Sequence, residues 1–473
     1  MNESILQVDG IERFKMWLKL ANLDENEHQV EGVKRMMHLE TANNPMWGLR
    51  GGFLTDEMGL GKTIQMLALI LCNFVDRTLI VLPRALIEQW EEAIIRVFGH
   101  KPLVFHGNRK NEQSIEHASI VITTYGNIAL RYTKNGDEIV SSLSSYKWGR
   151  VIFDEAHHMR NSNTGAFKGA MLLKTNIKWF VTGTPIQNSK SDVYSLFRIF
   201  GINKDVYMSE DGITQISQHF RIGRTKQEVG IKLDPVVNHN IVVDWETDAE
   251  LNMAADIHAT LGFSQVTLSN VDALISALTQ HQLPALLRMR QVCLHSRMLK
   301  NATNELINNG ILKQEDVQRG IEGASKLNAV LRKIRERKDN KSNKIVFCFF
   351  RSEIDFLEEN LTCMGLKVGV VDGRTSQAER DSKFSDSFDV LILQIQASCE
   401  GLNLQSYNEI YFTSPPWNPA VQDQAIARAH RIGQQKQVHV FQFCMAGFGD
   451  ASISIDRYCM MIQEIKRQAS TLF

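Results

Sequence analysis

The sequence has little that would take it out of an ordinary reducing, aqueous setting. Its longest apolar run, Met66–Val75, is interrupted by Asn73 and falls well short of the roughly 20 residues a membrane-spanning helix needs. Met1-Asn2-Glu3-Ser4 has neither the basic start nor the apolar stretch of a secretory signal. The seven cysteines (Cys72, Cys293, Cys348, Cys363, Cys399, Cys444 and Cys459) are odd in number and include no Cys-x-x-Cys pair. That argues against a disulfide framework and against a structural zinc module. Lys and Arg total 53 against 53 Asp and Glu, so bulk charge advertises no nucleic-acid partner. Any such site must be a local basic groove. Low-complexity tracts, short repeats and long basic tails are also missing. An intracellular protein with no membrane partner is expected.

What is present is a globular composition, 43% hydrophobic and 22% charged over 473 residues, long enough for two or three domains at ~150 residues each. Short β-rich runs alternate with helical patterns, twice. The first half offers strands at Gly52–Asp56, Thr78–Pro83, Ser119–Thr124, Arg150–Asp154 and Lys178–Thr182. The second offers Lys344–Phe350, Lys367–Asp372, Asp389–Gln394, Glu409–Thr413 and Val438–Phe443. Most are continuous runs of Val, Ile and Phe, the mark of strands buried on both faces of a parallel sheet. The fold class expected is α/β, with two parallel sheets in tandem. Between the halves Asp248–Leu261 and Val271–Leu299 read as helices, Asn301–Gly323 as a polar connector, and Ile453–Arg467 as a terminal amphipathic helix.

Two motifs carry chemistry. Asp56-Glu57-Met58-Gly59-Leu60-Gly61-Lys62-Thr63 follows a predicted strand and opens a predicted helix. Glycines there let backbone N–H groups turn onto phosphate oxygens at a helix N-terminus. Lys62 would reach the β- and γ-phosphates and Thr63 would ligate Mg²⁺. About 90 residues on, Val151-Ile152-Phe153 ends in Asp154-Glu155-Ala156-His157, which puts two carboxylates at the C-terminal edge of the sheet. Asp154 suits Mg²⁺, and Glu155 suits deprotonation of an attacking water.

These residues resemble the SNF2 (Swi2/Snf2) group of superfamily 2 helicase-like ATPases, in a compact form similar to those of large DNA viruses. DEMGLGKT is that family's phosphate loop, and Asp154–His157 its DEAH box. His28-Gln29-Val30-Glu31-Gly32-Val33 resembles the adenine-sensing motif, with Gln29 as reader. Leu79–Pro83 with Trp90, and Thr123-Thr124-Tyr125, resemble lobe 1 segments that contact DNA. Thr182-Gly183-Thr184-Pro185-Ile186-Gln187-Asn188 is similar to the coupling motif, Arg224-Thr225-Lys226 to the end of lobe 1, and Leu287–Cys293 to the helix of SNF2 insertions. Asp372–Ser376, Trp417-Asn418-Pro419 and Gln424–Gln434 are similar to lobe 2 motifs.

The resemblance implies two RecA-like lobes with helical insertions: residues 1–235 as lobe 1, 236–325 as insertion and connector, and 326–473 as lobe 2 with a brace helix at 453–467. It implies ATP and Mg²⁺ as cofactors. Nucleotide would be held by Gln29, Asp56, Glu57, Met58, Gly59, Leu60, Gly61, Lys62 and Thr63, and the metal by Thr63 and Asp154. Glu155, Gln424, Arg428 and Arg431 would be catalytic, the arginines meeting charge on the transferred phosphate from one helical turn. His157, Thr182, Gly183, Thr184, Gly401 and Asn403 would couple DNA to ATP, and Glu400 departs from the glycine-dense form of that last turn. The expected function is a DNA-stimulated ATPase translocating on double-stranded DNA, rather than RNA, and displacing protein complexes bound there. It would work in a nucleus or at a viral replication site. The alternatives are a strand-separating superfamily 2 helicase and an inactive nucleic-acid-binding scaffold.

Overall fold

A computed structural model describes residues 9–183, 190–260, 283–395, 404–449 and 453–470. The chain forms two compact units: the first takes in the chain up to Lys232 together with the residues after Arg467, and the second runs Leu233–Arg467. Among the described residues no helix is long and apolar enough to cross a membrane.

The first unit is built on strands β1 (Arg50–Leu54), β2 (Thr78–Leu82), β3 (Leu103–Phe105), β4 (Ile120–Thr124), β7 (Lys147–Asp154), β8 (Lys174–Val181) and β9 (Arg221–Ile222), with a small hairpin of β5 (Arg131–Tyr132) and β6 (Glu138–Ile139) apart from them. Its sheet has the order β3-β4-β2-β7-β8-β1-β9, and every pair is parallel. Strands β2 and β4 are buried along their whole length, which is why they read as unbroken apolar runs. All five strands read from sequence in this half are present. The short β3 and β9, of three and two residues, were below the length at which a run can be recognised.

One polar cluster sits wholly inside this core. Glu40, on the helix Glu27–Thr41, accepts from Arg150 Nε at 2.6 Å and from Arg150 Nη2. Its carboxylate also accepts from Trp179 Nε1 at 2.8 Å and Asn73 Nδ2 at 2.6 Å. Neither charged side chain is exposed at all. Arg150→Met should therefore destabilise the first unit by about 3–5 kcal/mol, because it strands a buried carboxylate. Denaturant titration followed by tryptophan fluorescence reads this out, and the Arg150→Met/Glu40→Gln pair should recover part of the loss. A shift within experimental error in the single variant would contradict it.

The second unit carries β10 (Val237–Val243), β11 (Lys344–Cys348), β12 (Val368–Val371), β13 (Val390–Gln394), β14 (Glu409–Phe412) and β15 (His439–Met445) in the order β10-β15-β14-β11-β13-β12, again all parallel. The two parallel α/β sheets are the tandem RecA-like arrangement expected. Strand β10 falls in a stretch, 236–325, that the family resemblance assigned to the helical insertion and connector. It is an edge strand whose residues alternate between half-buried and exposed up to Val242, with two asparagines and a histidine, so it offers no apolar run.

The connector expected at 301–323 instead holds two short helices, Thr303–Asn308 and Gln314–Gly320. Leu306, Ile307, Ile311, Val317 and Ile321 supply the packing that orders them. Helices Asp248–Ala259 and Leu283–Leu294 lie where helices were expected, while 261–282 is outside the described residues. The terminal helix Ile455–Ser470 is pinned into this unit by a buried pair: Lys326 Nζ donates to Asp456 Oδ2 at 2.5 Å and to Ser414 Oγ at 2.8 Å.

Candidate active site

Register places the two chemical motifs side by side. Strands β7, β8 and β1 are consecutive neighbours, and Asp154 pairs with Val181 while Val181 pairs with Leu54. The residues that follow each strand therefore emerge at one edge: Glu155 after β7, Thr182-Gly183 after β8, and Thr55 onward after β1. This is the C-terminal edge, where open parallel sheets carry their ligands.

The loop after β1 turns at Gly59 (φ 95°) and Gly61 (φ 80°), in the left-handed region that disfavours side chains. A Cβ on Gly61 would also lie 2.4 Å from Gln29 Nε2. The helix begins at Lys62, so Lys62 and Thr63 are its first two residues. Lys62 Nζ folds back over the loop and donates to the Asp56 carbonyl at 2.8 Å and the Glu57 carbonyl at 3.4 Å. Gly183 presses on the same spot, its missing Cβ falling 3.3 Å from Lys62 Nζ. Gln29 is buried and donates from Nε2 to the Leu60 carbonyl at 3.2 Å.

The Asp154 carboxylate is held by Trp90 Nε1 at 2.7 Å and by the Glu155 N–H at 3.0 Å. Burial, and then the Glu155 charge, push its carboxyl well above the ordinary range, while Trp90 and the Lys62 ammonium pull the other way. Glu155 sits at φ 51°, a left-handed conformation that costs a non-glycine residue on the order of 1–3 kcal/mol. The turn aims its carboxylate at His157, whose Nδ1 is 3.3 Å from Glu155 Oε2 and 3.4 Å from Thr182 Oγ1. Glu155 Oε2 and Thr182 Oγ1 thus lie against the same nitrogen of His157. Thr184 lies outside the described residues, as do Gly401 and Asn403 and the neighbouring Glu400.

Comparison with known proteins follows the same residues. A family model described as SNF2-related domain matches residues 28–211, and one described as Helicase conserved C-terminal domain matches 325–433. The chain belongs to the SNF2 family of helicase-like ATPases. A "Probable global transactivator" of Orgyia pseudotsugata multicapsid polyhedrosis virus is 28% identical across 93% of this chain and 89% of its own. A "DNA excision repair protein ERCC-6-like" of Danio rerio is 23% identical, over 89% of this chain but only 34% of its own length. A solved structure that the chain resembles, a Sulfolobus solfataricus SWI2/SNF2 ATPase core in complex with double-stranded DNA, covers 95% of this chain and 94% of that one, with 23% identity and a TM-score of 0.40.

In this SNF2-family chain the expected lobe 2 residues are arranged differently from a single helical turn. The helix starts at Pro419, with Asn418 capping Ala420 N–H at 3.1 Å, and ends at Ala427. Arg428 is its C-terminal cap and Arg431 lies beyond it, in a turn closed by Gly433 at φ 96°. They remain electrostatic neighbours: burial and then Arg428 lower the pKa of the Arg431 guanidinium. Gln424 is buried on the helix. Gln434 is a structural clamp, donating to the carbonyls of Gln405, Tyr407 and Ala429 at 3.0–3.1 Å. In the basic run 332–338, Arg332, Lys333 and Arg337 are paired with Glu246, Glu336 and Glu409 at 2.6 Å each, which leaves a largely neutralised face.

Three residues play parts that sequence reasoning missed. Trp90 and Tyr125, associated by resemblance with DNA-contacting segments, are buried: Trp90 holds Asp154, and Tyr125 Oη donates to the Asp154 carbonyl at 2.6 Å. Asp56, expected among the nucleotide-binding residues, has its fully buried carboxylate engaged by Arg224 and Gln65. The signal was present as an acidic residue at a glycine position and a distant Arg-Thr-Lys, but pairing them needs tertiary contact.

Proposed function

We propose that this protein is an ATP-driven translocase on double-stranded DNA that remodels or displaces complexes bound there in transcription or repair. One arrangement carries the reading: a phosphate loop with Lys62, level with a buried Asp154 and with a left-handed Glu155 that meets Thr182 at one nitrogen of His157. The names of the viral transactivator and the excision repair relative support the assignment to transcription or repair.

ATP hydrolysis needs four things from the chain. Loop N–H groups, the helix N-terminus and Lys62 hold the phosphates, and Gln29 reads the base. Mg²⁺ would be held by Asp154, a buried carboxylate with Glu155 beside it, and by Thr63, and when bound it would neutralise phosphate charge. Glu155 takes the proton of the attacking water as its oxygen bonds to the γ-phosphorus and the β–γ bridge breaks, giving ADP and phosphate. Roles for Arg428, Arg431 and Gln424 in that step follow from the family resemblance: the two guanidiniums would meet charge on the transferred phosphate, and the neutral amide would hydrogen-bond beside them. His157, Thr182 and Gly183, with Thr184, Gly401 and Asn403, transmit occupancy to the DNA.

DNA is held through its phosphates, so affinity should fall steeply with salt and show little sequence preference. Duplex DNA should raise the ATPase rate more than RNA does. With ATP the protein should strip the third strand from a triplex and leave an ordinary duplex paired. Matched gel assays check this. Efficient unwinding of a tailed duplex with no triplex displacement would establish a strand-separating helicase instead.

A further inference from the structure

We infer that Arg224 is a positioning residue that sets the phosphate loop and the base-reading Gln29 in one register, an inference that rests on the ATPase reading above. Its guanidinium reaches back 159–196 residues to join three segments. It donates to Asp56 through Nε at 2.9 Å and Nη2 at 2.6 Å, to Gln65 Oε1 at 2.9 Å, and from Nη1 to the His28 carbonyl. Asp56 opens the phosphate loop, Gln65 belongs to the helix that follows it, and His28 precedes Gln29. Gln65 closes the ring by donating to Asp56 Oδ2 at 2.8 Å.

The surroundings are shaped to admit this fork. Gly32 leaves space on one side, since a Cβ there would lie 2.8 Å from Arg224 Nη2 and 2.2 Å from Gln65 Oε1. The same stretch of chain is zipped to the loop through its backbone: Thr55 N–H donates to the Ile222 carbonyl at 2.7 Å and Glu57 N–H to the Arg224 carbonyl at 2.8 Å. Glu57 then grips Lys226, accepting from its N–H at 2.7 Å and lying 3.1 Å from its ammonium. Gln29 and His28 complete the link, because both side chains bond the Leu60 carbonyl inside the loop at 3.2 Å. One guanidinium therefore fixes both the phosphate end and the base end of the nucleotide site.

A planar fork meets the Asp56 carboxylate in two parallel bonds, and an ammonium cannot reproduce that geometry. The test compares Arg224→Lys and Arg224→Met with the unaltered protein in ATPase and GTPase assays with duplex DNA, alongside melting curves. Both variants should raise the KM for ATP roughly tenfold or more, with kcat reduced less than about threefold, as expected when binding has to order a loosened loop. Both should also narrow the ATP-over-GTP preference in kcat/KM, which general destabilisation would not move. If Arg224→Met does not fold, Arg224→Lys alone decides. Unchanged KM and preference in a folded Arg224→Lys protein overturn the inference. So does loss of kcat with a lowered Tm and an unchanged preference. Absence of ATPase activity in the unaltered protein would instead remove the functional reading beneath it.

Discussion

Glu155→Gln should leave ATP binding close to normal and cut turnover by about 10²–10⁴-fold, the range supplied by a general base. The substitution keeps the size and planarity of the side chain, and the backbone at φ 51° is left to the same turn. What it removes is the basicity of the carboxylate, which an amide cannot supply to a water proton. On the proposed reading the phosphates are held by a separate loop, after β1, and the metal by Asp154; removing the Glu155 charge lessens its repulsion of Asp154, so both sets of contacts should persist. Equilibrium titration with a fluorescent ATP analogue and a phosphate-release assay measure the two halves. Loss of binding together with turnover would mean that Glu155 shapes the edge of the sheet and is not the base.

Lys62→Ala should abolish measurable hydrolysis while the fold survives. Lys62 is the cation that lies over the loop, bonded to the Asp56 and Glu57 carbonyls and close enough to Asp154 to act on its ionisation. Those two bonds are to backbone oxygens of the loop itself, so a bound phosphate competes for the ammonium with neutral acceptors. A phosphate oxygen carries charge that a carbonyl lacks and forms an ion pair with the ammonium, so the exchange favours the nucleotide. Alanine cannot replace that charge, yet it is the best helix former at the first position of the helix. The Tm should therefore stay near that of the unaltered protein while ATPase activity falls below detection. Near-normal turnover in a folded Lys62→Ala protein would remove the phosphate-loop assignment.

The sequence by itself determined the architecture wherever a segment is chemically uniform. Strands β2 and β4 are buried on both faces and consist wholly of Val, Ile, Leu and Thr, so the pattern is legible without partners. The phosphate loop and the Asp154-Glu155 pair were legible for the same reason, since local backbone geometry and adjacent carboxylates are properties of neighbouring residues. What lay beyond that reach depends on contacts between distant residues. Strand β10 is stabilised by pairing with β15 from 202 residues away and shows no apolar run of its own. Arg428 and Arg431 share no helical turn, because the helix stops at Ala427 and Arg431 follows in a turn. Trp90 turned inward to Asp154, and Asp56 found Arg224 168 residues on, so that a buried carboxylate is paired with a partly exposed guanidinium. Local periodicity reports which faces are buried, but the partner of a buried polar group is chosen only when the chain closes on itself, because an unpaired charge in the core costs too much to leave unmatched.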